Sequence, residues 1–80
     1  MIIKFASDII KLTFCDSEPF SGRDVTMKGE VLYSGFDAAL STMSWLSSKE
    51  MVNQADKDII CDLIKQHNRD NSFVIMFMEE

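Results

Sequence analysis

Residues 53–78 read NQADKDIICDLIKQHNRDNSFVIMFM, and two periodicities meet within them. Ala55, Ile59 and Leu63 recur every fourth residue, with Ile60 and Ile64 beside them. That is the apolar stripe of a helix packed on one face. Asn53 stands where a helix needs an N-cap, and Asp56 at the third helical position makes a weaker capping box. The acidic group also suits the positive end of the helix dipole. Asp58, Asp62, Lys65 and Arg69 take the other side, and residues 68–71 stop the helix. Then come Phe73, Val74, Ile75, Met76, Phe77 and Met78, six apolar residues in a row. Such a run is a strand covered on both faces, or one covered on a single face with the other at a partner interface. Left bare it is an aggregation hazard, and Glu79 and Glu80 follow it as gatekeeping charges.

Outward from this segment, the N-terminal half reads as strands. Residues 2–5 and 9–14 alternate with period two, with Ile10, Leu12 and Phe14 on one face and Lys11 and Thr13 on the other. Ser7-Asp8 is either a turn between two strands or a bend in one. Residues 16–24 form a loop, holding Ser17, the sole proline Pro19, Ser21 and Gly22. Phe20 lies inside it and reads as a lid on the local core, the alternative being an exposed anchor for a partner. Val25, Met27, Val31 and Tyr33 continue the alternation. Lys28-Gly29-Glu30 interrupts it, as a turn between two short strands or as a bulge. Residues 36–46 carry both periods. Phe36, Ala39, Leu40 and Met43 match a helix, while Phe36, Ala38 and Leu40 match a strand; intrinsic propensity leans to helix.

At 80 residues the chain is one domain, 1–80, with a core small enough that oligomerisation would help it. Hydrophobic content of 46% and charged content of 26% are globular values. A net charge of −5 argues against nucleic-acid binding, which needs a basic face, and suits a basic partner. No run approaches the roughly 20 apolar residues of a membrane span. Lys4, Asp8 and Lys11 break the N-terminal apolar run at once, unlike a signal peptide, so a cytoplasmic location is expected. Cys15 and Cys61 lack CxxC spacing and are expected to be reduced.

Catalytic chemistry has little to stand on. His67 is the sole histidine and falls in the last helical turn, where it caps the dipole. Neither cysteine sits in a nucleophile signature. Asp56, Asp58 and Asp62 are the densest acidic group, but a calcium loop needs a central glycine that is missing. There is no phosphate-binding glycine loop, no GxSxG and no HExxH. The expectation is no enzyme, no metal and no cofactor. Trp45, the lone tryptophan, is either the core keystone or an interface hot spot.

Gly29-Glu30-Val31-Leu32, Gly35-Phe36, Trp45, Asp58-Ile59-Ile60 leading to Ile64, and Phe73-Val74-Ile75 together resemble the Immunity protein 74 family of bacterial polymorphic toxin systems. The resemblance spans residues 25–78, and its motif is a diffuse one. No proline follows Trp45, where the family pattern has one. The resemblance implies an α+β domain that binds and neutralises a cognate toxin, and it implies that residues 36–45 are strand, the reading adopted here. No catalytic residue carries over. The fold expected is a small, mostly antiparallel sheet with one main C-terminal helix packed on one face. Glu30, Asp56, Asp58 and Asp62 are the acidic candidates for steering a basic toxin such as a nuclease, with Phe20 and Trp45 as its anchors. The alternative is a structural or adaptor domain that homodimerises through the exposed face of its last strand.

Overall fold

A computed structural model describes residues 1–15 and 18–78. Asp16 and Ser17 of the expected loop, and the gatekeeping pair Glu79 and Glu80, lie outside the described residues. The elements run β1 (Ile2–Phe5), β2 (Ile9–Thr13), β3 (Asp24–Leu32), β4 (Gly35–Ala38), a 3₁₀ turn (Leu40–Thr42), β5 (Ser44–Trp45), α1 (Gln54–Asp70) and β6 (Val74–Phe77). The strands form one curled sheet in the order β1-β2-β3-β4-β6, with β5 also pairing β3. All pairs are antiparallel except β4 with β6. Parallel neighbours need a long crossover, and α1 supplies it. The fold is therefore α+β, a mostly antiparallel sheet with one helix, and the helix precedes the last strand.

Register explains the shape. Ser7-Asp8 is a two-residue turn that pairs Phe5 with Ile10 and Ile3 with Leu12. β3 is long enough to serve several neighbours. Residues 24–28 pair β2 on one side, and residues 29–32 pair β4 on the other. Lys28-Gly29-Glu30 is thus neither turn nor bulge but the continuous middle of a nine-residue strand. Gly29 is required because the Phe36 ring and the Asp37 carbonyl pack where its Cβ would stand.

Residues 36–46 are mainly strand, and the reason both periods fit is visible. Pairing passes from Gly29↔Ala38 to Thr26↔Ser44, so the two intervening residues of β3 face five of the other chain segment. The excess is looped out as the three-residue 3₁₀ turn. Thr42 pins this turn to the sheet: its Oγ1 accepts the Lys28 N–H at 2.8 Å and donates to the Ala39 carbonyl at 2.6 Å.

One face of the sheet makes the core. Ile10, Leu12, Val25, Met27, Phe36, Trp45 and Ile75 pack with Ile60 and Ile64 of α1. The Asn53 side chain caps the helix by accepting the Asp56 N–H at 2.8 Å. The buried stripe is centred on the flanking pair of the expected one, with Leu63 packed beside it. Ile60 and Ile64 are fully buried, whereas Ile59 is 41% exposed and Ala55 is exposed. At the far end the Asn71 side chain donates to the His67 carbonyl at 2.9 Å. β6 is covered on one face only: Ile75 points into the core, while Met76 is 44% exposed on the other side. No helix among the described residues is long and apolar enough to cross a membrane.

Candidate functional site

The sheet face turned away from α1 carries no covering element among the described residues. Alternation and register place Ile2, Lys4, Ile9, Lys11, Lys28, Glu30, Leu32, Asp37, Val74 and Met76 there. Met51 joins them through its bridge to Ser44. Nine large hydrophobic residues are exposed among the described residues, and four of them, Ile2, Ile9, Met51 and Met76, are on this face. Scattered exposed hydrophobics need no explanation, but four on one uncovered sheet face make it the candidate interaction surface.

Like charges face each other on this side of the sheet, although Asp24, opposite Thr13, also lies there and is diagonal to Lys11. Lys4 lies directly opposite Lys11, and Lys28 is diagonal to Lys11 on the next strand. At the other end Glu30 lies directly opposite Asp37. Like charges facing each other across a ladder cost stability. None of the five makes an ion pair with another described residue. Tyr33, at the tip of the β3–β4 turn just beyond Leu32, is fully exposed. Tyrosine in such a position is a residue type enriched at binding hot spots.

The six residues expected to bind a partner do not form one surface. Glu30 is on the uncovered sheet face. Asp56, Asp58 and Asp62 are on α1, across the core from it. Asp58 and Asp62 are exposed, with Gln54 donating to Asp58 at 2.9 Å, and Asp56 is half-buried at the helix start. Trp45 is not an exposed anchor: it is 5% exposed because β5 turns it inward. Phe20 is its lid. The Phe20 ring tilts against Phe14 at 5.6 Å and against Trp45 at 5.2 Å, and the Arg23 guanidinium lies 3.7 Å over the indole. Phe20 holds a left-handed backbone (φ 62°), a strained conformation for an aromatic residue that this packing maintains.

Three other titratable groups are shifted by their surroundings. The Glu18 carboxylate takes a hydrogen bond and ion pair from the Met1 ammonium at 2.8 Å, which holds its pKa below the ordinary value against the effect of burial. The same contact raises the Met1 amine. Cys15 and Cys61 are both free, and burial pushes the Cys61 thiol up, away from reactivity. His67 lies beside Asn71, whose Nδ2 is 3.3 Å from its Nδ1. Among the described residues no three His, Cys, Asp or Glu side chains converge to hold a metal ion.

Three residues that matter were missed in the sequence. Asp37 and Tyr33 belong to the uncovered face and its rim. Asn68, in the last turns of α1, reaches β6: its Nδ2 donates to the Ile75 carbonyl at 2.8 Å and its Oδ1 accepts the Ile75 N–H at 2.9 Å. A hairpin reading of Tyr33-Ser34 would have found Asp37, because a two-residue turn there pairs it with Glu30. Nothing in the sequence marks Asn68.

No protein-family model matches the chain, and comparison with curated proteins and with solved structures finds no match.

Proposed function

We propose that the chain is a non-enzymatic binding module that acts in the cytosol by covering a cognate bacterial toxin with the uncovered face of its sheet. The observation that supports this reading is that face itself. It holds four exposed large hydrophobics and two facing like-charge pairs that no described residue neutralises. Such an arrangement costs stability in the free chain and is relieved when a partner supplies opposite charges. The toxin as the partner rests on the family resemblance. Glu30 and Asp37 would take basic groups of the toxin, and the lysines acidic ones, with Tyr33 and Met76 as the apolar anchors.

The test is protection in a cell that co-expresses this chain with the toxin domain it captures. The variant Tyr33→Ala/Met76→Lys should fold and fail to protect, while Asp58→Asn/Asp62→Asn should protect fully. Full protection by the first variant would overturn the reading.

Self-association is a second reading, favoured by the facing pairs Lys4–Lys11 and Glu30–Asp37 on one face. A lysine corner and a carboxylate corner can answer each other between two copies. A monomeric mass at millimolar concentration and low salt excludes it.

A further inference from the structure

The two edges of the sheet are treated differently. Across the Ser7-Asp8 turn the Ala6 N–H donates to the Ile9 carbonyl at 2.9 Å. Antiparallel ladders alternate, so Lys4 and Ile2 bond to β2 while Ile3 and Phe5 turn their N–H and C=O groups to the free edge. At the opposite edge, Val74 and Met78 donate to the Ser34 and Ala38 carbonyls. The backbone N–H and C=O of Ile75 therefore face the outer edge, and Asn68 satisfies both of them. The β6 edge is closed at its centre by a side chain that imitates a neighbouring strand. The β1 edge has no such cap among the described residues.

A groove of about 330 Å³ runs beside the open edge, lined by Ile3, Phe5, His67, Asn71, Ser72 and Phe73. The Phe5 and Phe73 rings stack at 4.7 Å and 10°, which gives the groove an apolar wall where the curled sheet brings its two ends together. His67 and Asn71 give it a polar one.

We propose that β1 takes an extended segment of a partner protein as an added strand. Its inward side chains are apolar and enter the groove, and its outward side chain beside Lys4 is acidic. The backbone groups of Ile3 and Phe5 supply the ladder, as in strand-addition recognition generally. Charge sets the outward residue. Lys4 falls in the new ladder's non-bonded pair, where facing side chains are closest, and Lys11 stands directly behind it. The same lysines disfavour the β1 strand of a second copy of this chain as the occupant of this edge. The antiparallel register with most ladder bonds would set Lys4 against Lys4 and make a row of four lysines. This inference uses neither Tyr33 nor Met76 and does not depend on the partner being a toxin.

The test is an NMR titration of the labelled full chain with the capped peptide Val-Glu-Val-Glu-Val and, separately, Val-Lys-Val-Lys-Val. The glutamate peptide should shift the Ile3 and Phe5 amides downfield and slow their exchange about tenfold. It should bind about fivefold more tightly than the lysine peptide, and Lys4→Glu, with its spectrum otherwise native, should reverse the preference. Equal binding of the two peptides, shifts confined to β6 or to the uncovered sheet face, or no shift at millimolar peptide would each overturn the proposal. Those outcomes leave the protection assay untouched, so the two readings fail separately.

Discussion

Replacing Asn68 by alanine should cost far more than a half-buried polar residue near the end of a helix ordinarily would. Its amide makes two hydrogen bonds, at 2.8 and 2.9 Å, to the two backbone groups of one residue. Ile75 is 2% exposed. Each bond contributes about 1 kcal/mol net, and a backbone group left without a partner in a buried place costs about 1–3 kcal/mol. Water entering from the sheet edge limits that penalty, so the loss expected is about 2–3 kcal/mol. In a domain of 80 residues this lowers Tm by about 10–20 °C. Chemical denaturation gives the free energy, and amide exchange gives the location, because the Ile75 N–H should lose its protection first. Asn68→Leu separates bonding from packing: it keeps the volume and removes the bonds, and it should be as damaging as alanine. A loss below about 0.5 kcal/mol for alanine, or a neutral leucine variant, would refute the clamp.

Three further outcomes follow from the same structure. Ile60→Ala should lose about 2–5 kcal/mol, whereas Ile59→Ala should lose well under 1 kcal/mol; equal losses by denaturant titration would contradict the placement of the buried stripe. Lys4→Glu should stabilise the free chain by about 0.5–1 kcal/mol, by turning its repulsion with the facing Lys11 into attraction, while weakening capture of an acidic partner; a destabilised variant would contradict the charge map. Glu18→Gln should lower Tm only in a middle range of pH. The depressed Glu18 pKa means that its contribution is lost as pH falls through the folded carboxyl pKa. The raised Met1 pKa means that the contribution is also lost as pH rises through the folded amine pKa. A Tm difference from the parent chain that persists at both extremes would contradict the pairing.

How much of this was legible in the sequence depends on how local the signal is. Asn53 and Asp56 mark the helix start through a bond three residues long, and the structure makes that bond. Strand alternation at 9–14 and 25–27 is equally local. The helix stripe could be located only to within a residue, since Ile59 and Ile60 are the same amino acid and only tertiary packing chooses between them. In residues 36–46 two periods coexist because two structures do, a strand and the turn looped out of it. The facing pairs Lys4–Lys11 and Glu30–Asp37 were hidden until the turns fixed the register. Trp45 and Phe20 were ambiguous for another reason. An aromatic residue in a small domain serves equally well inside or at an interface, and only the orientation of β5 sends Trp45 inward. Asn68 was beyond reach, because a seven-residue step between a helix and a strand edge leaves no periodic trace.

The central claim is that the uncovered sheet face binds the partner. Hydrogen–deuterium exchange on the complex with the proposed toxin partner tests this most directly. Exchange should slow in the sheet, centred on residues 28–37 and 74–78, with α1 residues 54–66 unchanged. Protection centred on Asp58 and Asp62 of α1, with the sheet unchanged, would contradict it.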